Sequence, residues 1–123
     1  MDRLQRFVRA LYDPFAQRCL HCLLRGPLCL CDLQSALKAS SGHVQACLRR
    51  LAEADIVALA EGPHGLMFCS LNDQHRHTVE SLFSDFEQET IVSSTYVADF
   101  ERLELQLALR ADGDCSVRLS KRG

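Results

Sequence analysis

Apolar residues in the middle of the chain recur at the spacing of two short helices. In the segment 29–38 they fall at positions i, i+3, i+6 and i+7, namely Leu30, Leu33, Ala36 and Leu37. The segment 44–52 again has apolar residues three and four positions apart, at Val44, Cys47, Leu48, Leu51 and Ala52. Residues 39–42 separate the segments and include two serines able to cap the second helix. The pattern predicts a helix-turn-helix.

Two further apolar stretches predict a β-hairpin directly after this motif. Residues 56–61 and 66–71 flank the four-residue turn Gly-Pro-His-Gly. A hairpin in this place is the wing of a winged-helix domain. The predicted fold class is therefore mainly α, a winged helix-turn-helix with a β-hairpin wing.

The segments on either side of this core predict amphipathic helices. Residues 3–11 and 15–24 predict two helices before the motif, the second capped by Asp13 with Pro14 at its first position. Residues 74–92 predict one long helix after the wing. These helices carry more apolar surface than a small core can cover, so we expect residues 1–92 to form a dimeric domain with twofold symmetry.

Residues 93–123 are expected to form a C-terminal extension. Four leucines there alternate with polar or small residues: Leu103, Leu105, Leu107 and Leu109. An Ala-Asp-Gly-Asp turn follows, and the alternation returns at Cys115, Val117 and Leu119. Alternation on both sides of an Asp-Gly turn predicts an additional C-terminal β-hairpin.

Composition and charge narrow the class of protein. With 123 residues, 47% of them apolar and 24% charged, the chain suits one folded domain. The net charge is −2, but residues 1–27 hold five arginines against two acidic residues, whereas residues 73–123 hold six basic and ten acidic residues. A nucleic-acid-binding face would draw on the N-terminal arginines and on Arg49 and Arg50.

The seven cysteines are interpreted together with the expected location of the protein. No long apolar stretch is present and the first residues are charged, so we expect a cytoplasmic protein with no signal peptide and no membrane partner. In a reducing cytosol, cysteines serve as core residues, metal ligands or redox thiols. Four of them fall on predicted apolar faces and are expected in the core: Cys19, Cys22, Cys47 and Cys69.

Three stretches of sequence resemble the ArsR/SmtB (arsenic-repressor) family of dimeric winged-helix transcription regulators. They are Asp-Pro at 13–14 with the following Arg18 and Leu20, the LCLCDL of residues 28–33, and the LRRLAEADIV of residues 48–57. The resemblance extends over about residues 11–89. It implies a DNA-binding repressor that acts as a homodimer on a double-stranded operator and is released by a small inducer.

The chain also departs from the family pattern. Phe15 and Ala16 stand where the family usually has Thr-Arg, and Gln45 and Cys47 replace a Ser and a His of the recognition helix. The turn around His64 is poor in positive charge compared with the usual arginine-rich wing tip. These differences bear on DNA affinity rather than on the fold.

The recognition helix supplies candidate DNA contacts. Hydroxyls and backbone amides at its start can hold a phosphate, Gln45 can read an adenine edge, and Ala46 can meet a thymine methyl. The full set of candidates is Ser40, Ser41, His43, Gln45, Ala46, Arg49, Arg50 and, on the wing, His64. The alternative is a solvated helix face and an ordinary turn.

Cys29 and Cys31 are the candidate inducer site. Two thiols at a helix start, where the helix dipole favours thiolate, suit soft ions such as As(III), Cd(II) or Zn(II). Cys115 is a candidate third ligand, from the same or the other subunit. The alternatives are a thiol-redox response without a metal, or two small buried side chains.

A second possible ion site follows only from the resemblance. Zinc-sensing members use Asp and His at the start of the last helix with later donors on the partner helix, which matches Asp73, His75 and Glu89. Phe86 occupies the place of the remaining His, so the set is incomplete. The alternative is a capping Asp beside a surface His.

The sequence predicts a regulator and no enzyme. It contains no Gly-rich phosphate loop, no nucleophile elbow and no paired-His metal motif. The alternative to a DNA-binding repressor is a winged module that binds another protein, which the acidic wing and acidic C-terminal third favour.

Overall fold

Helices make up most of the structure. A computed structural model describes residues 2–110, and of residues 90–92 the backbone alone. Its helices are α1 (Arg3–Tyr12), α2 (Pro14–Leu23), α3 (Leu30–Leu37), α4 (Ser41–Glu53), α5 (Asp73–Asp85), α6 (Glu87–Val92) and α7 (Ser94–Leu109). Its strands are β1 (Leu28–Cys29), β2 (Val57–Glu61) and β3 (Met67–Leu71). This mainly helical architecture with a small sheet confirms the predicted winged-helix class.

The helix-turn-helix consists of α3 and α4, as predicted. α3 ends where Lys38 adopts the left-handed conformation (φ 51°), which stops the helix and turns the chain. Ser40 then caps α4, because its Oγ accepts a hydrogen bond from the backbone N–H of His43 at 3.2 Å. The break between the two helices is thus made by local backbone chemistry that the sequence carries.

The wing is formed by β2 and β3, which pair antiparallel from Val57 opposite Leu71 to Glu61 opposite Met67. At its tip Gly62 lies so close to the Phe68 ring that a Cβ would clash with it. The short strand β1 pairs with the other edge of β3, giving the order β1-β3-β2. The pattern did not predict β1, because two residues are too few to show alternation.

The core lies between α2, α3, α4 and the sheet. The largest side chains that are fully buried in it are aliphatic: Leu20, Leu23, Leu28, Leu33, Leu48, Leu51, Ile56, Leu103, Val44 and Val79. Leu103 comes from α7 and Val79 from α5, so both C-terminal helices contribute to the same core. Across residues 2–110, no helix is long and apolar enough to cross a membrane.

The helix predicted over residues 74–92 is divided in two. α5 ends at Asp85, Phe86 leaves the helical conformation (φ −112°, ψ 31°), and α6 begins at Glu87. Because the Phe86 side chain is 53% exposed, its packing does not stabilise one continuous helix over residues 74–92.

The predicted C-terminal β-hairpin is wrong for its first strand. Residues 103–109 belong to α7, while the second strand, around Cys115, lies outside the described residues. Alternation places four leucines on one face, but the helix separates them: Leu103 is fully buried, whereas Leu105 and Leu109 are 62% and 58% exposed. The helix is favoured because it buries Leu103 and brings three polar side chains into contact with α2 and α3. These side chains are Asp99, Arg102 and Gln106.

A buried carboxylate attaches α7 to the rest of the fold. Asp99 is fully buried and accepts two hydrogen bonds from Arg18 of α2, at 2.8 and 2.9 Å, and one from Arg102 at 2.8 Å. The hydrogen bond to Asp99 raises the pKa of Arg18. Both arginines also donate to carbonyls at the end of α3, those of Ala36 and Leu37. The last carbonyls of α3 thus have charged donors.

Aromatic contacts hold α5 and α7 to the same face of α2. The His21 ring lies 5.3 Å from Phe83 and 4.9 Å from Tyr96, measured between ring centroids. Burial lowers the pKa of His21, so its imidazole is neutral near pH 7 and packs as an aromatic ring.

Two leucines of α7 provide a direct test of the helix. Leu103→Ala should lower the free energy of unfolding by about 2–5 kcal/mol, because it opens a cavity in the core. Leu105→Ala, two residues away and exposed, should change it by no more than about 0.5 kcal/mol. Urea denaturation followed by circular dichroism measures both, and equal losses would favour the strand over the helix.

Candidate functional site

The outer face of α4 is open to solvent, as is required of a recognition helix that contacts DNA bases (here called the reading helix). Its inner face is buried in the core through Val44, Cys47, Leu48 and Leu51. On the opposite face Ala46, Arg49 and Arg50 are exposed. These three sequence-predicted contact residues of α4 therefore stand on the surface, whereas Ser41 and Gln45 are half-buried.

Hydrogen bonds and ring stacking order the first turn of α4. The side-chain amide of Gln45 donates to Ser41 Oγ at 2.9 Å, which orients the amide that was predicted to read a base. The His43 ring stacks on Phe15 of α2 with 3.9 Å between centroids and an interplanar angle of 13°. α2 therefore supports the start of α4 through Phe15, a residue at which the chain departs from the pattern of the family that it resembles.

The candidate basic residues differ in their environment. Among the described residues no acidic group pairs with Arg49. Arg50 is 54% exposed and lies 3.1 Å from the Asp13 carboxylate. On the wing, His64 is exposed at the tip and adopts a left-handed backbone conformation (φ 62°).

Cys29, Cys31 and Asp32 converge at the junction of β1 and α3. All three are buried, and their ligand atoms lie within 4.8 Å of one another. Leu66 and Phe68 pack against the two cysteines from the wing side. Among the described residues this is the one group of three His, Cys, Asp or Glu residues close enough to hold an ion together.

The two cysteines are joined as a disulfide. Reduction with two electrons and two protons opens it to two thiols at the first turn of α3, where the helix dipole favours thiolate. Two sulfurs with an adjacent carboxylate oxygen are donors that suit a soft or borderline ion. The residues present therefore fit an ion in the reduced state and exclude one in the oxidised state.

Asp32 is the residue of this group that sequence reasoning missed. Its Oδ2 accepts a hydrogen bond from the backbone N–H of Cys29 at 3.0 Å, and its Oδ1 accepts one from the Gln106 amide at 3.2 Å. The Nε of Arg110 lies 3.0 Å from the same Oδ1 as an ion pair, without hydrogen-bond alignment. A signal was present, since Asp32 follows Cys31 directly and stands three residues after Cys29, on the same first turn.

The second predicted ion site is not assembled within the described chain. Asp73 is exposed and pairs with Arg76 at 3.5 Å, and His75 packs on Phe7 with 4.8 Å between centroids. Glu89 is exposed on α6. Cys115, the candidate third ligand for Cys29 and Cys31, lies outside the described residues.

The other four cysteines lie in the core, as their spacing predicts. Cys19 and Cys47 are fully buried, with their sulfurs 3.8 Å apart between α2 and α4. Burial raises the pKa of Cys22 and of Cys69 to about 12. The thiols of Cys22 and Cys69 are therefore neutral near pH 7, and all four cysteines pack as small apolar side chains.

Comparison with known proteins agrees with this architecture. No family model matches the chain. The transcriptional repressor SmtB homolog of Synechocystis sp. is 32% identical over 89 residues, which are 72% of this chain and 67% of that protein. A crystal structure of an ArsR family transcriptional regulator has the same fold, with a TM-score of 0.54 at 18% identity over 71% of this chain and 88% of that one. The adhesin competence repressor of Streptococcus pyogenes aligns with a TM-score of 0.47 at 16% identity, over 82% and 81% of the two chains.

The identity with the SmtB homolog and the length over which it extends are sufficient to assign the family. They confirm the resemblance carried by residues 13–14, 28–33 and 48–57. The chain belongs to the ArsR/SmtB family of winged helix-turn-helix transcriptional regulators.

Proposed function

We propose that this protein is a cytoplasmic, homodimeric repressor that binds a double-stranded operator and is released by a soft ion. The observation that carries the proposal is the outward face of α4, which is exposed at Ala46, Arg49 and Arg50 while its inner face is buried. Two copies of α4 would enter successive major grooves of an imperfect palindrome, about one helical turn apart.

Dimer formation is supported by an exposed apolar stripe on α1. Leu4, Val8 and Tyr12 stand four residues apart on one face and are 71%, 56% and 83% exposed. Side chains of this type in a continuous row are typical of a surface that a partner covers. A second copy with twofold symmetry is the partner that would also present two reading helices side by side.

Inducer binding is assigned to Cys29 and Cys31 in their reduced form. Both would hold the ion through thiolate sulfur, the donor that As(III) and Cd(II) prefer. A cytoplasmic location belongs to the proposal because a reducing cytosol maintains the dithiol. Cys29 caps α3, Cys31 lies in its first turn, and α3 leads through a short turn into α4, so a change at the thiols reaches α4 through this eight-residue helix. An ion that binds the DNA-free form more tightly lowers DNA affinity by the same factor by which DNA lowers ion affinity.

DNA binding by α4 can be tested with two substitutions. Gln45→Ala should weaken binding to the operator by about 1–3 kcal/mol and relax specificity, because it removes a base contact. Arg49→Ala should weaken binding to operator and random duplex alike and reduce the salt dependence by about one unit of slope, because it removes a phosphate contact. Fluorescence anisotropy with a duplex from the protein's own promoter, over a range of salt concentrations, measures both effects.

Arg25→Gln is the matched control for these variants. Arg25 is also an exposed arginine, but it pairs with Glu104 of α7 at 2.6 Å and is not among the residues assigned to the reading face. Its loss should lower operator affinity less than the loss of Arg49 does. Binding that is insensitive to salt and to both α4 substitutions would instead favour the protein-interaction module.

Release by an ion is the second test of the proposal. At least one of arsenite, cadmium and zinc, added separately to the reduced protein, should displace the operator duplex, and Cys29→Ser/Cys31→Ser should abolish that release while leaving ion-free DNA binding intact. Cys22→Ser/Cys69→Ser is a control that removes two core thiols instead. Release that persists in the Cys29→Ser/Cys31→Ser protein would contradict the assignment.

The disulfide supports a second candidate, a thiol-redox regulator without an ion. Peroxide would oxidise the two thiols, which lose two electrons and two protons and yield the disulfide and two molecules of water. Digestion after Arg25 and Lys38 releases residues 26–38, a peptide that contains Cys29 and Cys31 and no other cysteine. After peroxide treatment this peptide should be lighter by two hydrogen atoms, and operator release should follow the same dose. An unchanged peptide mass after a dose that releases DNA would exclude this switch.

A further inference from the structure

The Asp32 carboxylate, which lies beside the two cysteines, interacts with two side chains at the C-terminal end of α7. Asp32 is fully buried, and its Oδ1 faces both the Gln106 amide at 3.2 Å and Arg110 Nε at 3.0 Å. Gln106 lies in the last turn of α7 and Arg110 caps the helix four residues later, so both side chains reach the same point. α7 thus places a hydrogen-bond donor and a full positive charge on the oxygen donor of the candidate ion site.

The orientation of Gln106 is fixed from the other side. Its Oε1 accepts a hydrogen bond from Ser35 Oγ at 3.1 Å, and its side chain is 2% exposed. With the oxygen used by Ser35, the amide nitrogen points at Asp32. The position of α7 is fixed independently of this contact by Asp99, through its hydrogen bonds with Arg18 and Arg102.

The two classes of ion make different demands on Asp32. Zinc has two positive charges and normally takes four donors, so two sulfurs are too few and the Asp32 oxygen would be required. That oxygen is paired with Arg110, whose charge also repels a divalent cation. Arsenious acid does not need the Asp32 oxygen. The two thiols displace two of its hydroxyls, and each thiol proton leaves with a hydroxyl as water. The product carries no net charge.

We propose that Gln106 and Arg110 determine the ion selectivity of the Cys29–Cys31 site. By occupying the Asp32 carboxylate they disfavour zinc and leave a dithiol that suits uncharged arsenite. The inference rests on the proposed ion binding by Cys29 and Cys31, but it assigns a role to α7 that the ion site alone does not require. Arg110 acts here as a specificity residue through Asp32 and need not touch the ion.

Arg110→Met tests the proposal by removing the charge and keeping an unbranched apolar side chain of similar length. Protein reduced and freed of reductant under nitrogen is titrated with zinc and, separately, with arsenite by calorimetry. Zinc affinity should rise by at least about tenfold, because a cation close to the site is removed. Arsenite affinity should change by less than about threefold, since the exchange reaction leaves no net charge on the bound species.

Two further variants separate charge from packing. Arg110→Lys keeps the positive charge and should keep the wild-type ratio of zinc to arsenite affinity. Arg25→Met removes an exposed arginine that pairs with Glu104 of α7, and it should leave both affinities unchanged. Thermal melting by circular dichroism checks that every variant retains its helices. If Arg110→Met fails that check, Arg110→Gln takes its place in the same titrations.

The outcomes distinguish this inference from the proposed function. Absence of arsenite binding to the reduced wild-type protein would overturn the ion site, and the selectivity proposal with it. Arsenite binding with an unchanged zinc-to-arsenite ratio in Arg110→Met would overturn the selectivity proposal alone. A raised ratio in Arg110→Met together with a wild-type ratio in Arg110→Lys would support it.

Discussion

The hydrogen-bonded charges around Asp99 are the interaction on which the arrangement of helices depends. A fully buried carboxylate is tolerated only with partners, and Arg18 and Arg102 supply three hydrogen bonds to it. Removing one arginine would leave a buried charge poorly compensated, which in other proteins costs about 3–5 kcal/mol. Because the same arginines donate to the last carbonyls of α3, one polar network joins α2, α3 and α7.

α3 is the element that all the candidate chemistry shares. Its first turn carries Cys31 and Asp32, its last carbonyls receive the two arginines, and the left-handed turn at Lys38 leads into the reading helix. A helix of eight residues has little freedom to absorb a change at one end. A change in the thiols and a change in the position of α4 are therefore expected to be coupled through a short and rigid element, with α7 as the third contact.

Local chemistry explains why the middle of the chain was predictable. The apolar spacing of α3 and α4, the Ser40 cap and the Gly-Pro-His-Gly turn are each decided by residues a few positions apart, and the structure has them where the pattern predicts them. The tail was not predictable in this way. Alternating leucines at 103–109 satisfied a strand pattern, but the energy that decides between strand and helix comes from Leu103 and Asp99 packing against distant segments.

The sequence by itself determined the winged helix-turn-helix, the family, the exposed row on the reading helix and the pair of cysteines at the start of α3. These features follow from spacing and from short motifs, which act over a few residues. Only the tertiary structure decided that Asp32 joins the cysteines, that Gln106 and Arg110 reach it from more than seventy residues away, and that α7 is a helix. A buried polar contact of this kind depends on which surfaces meet, and no local pattern of apolar and polar residues encodes it.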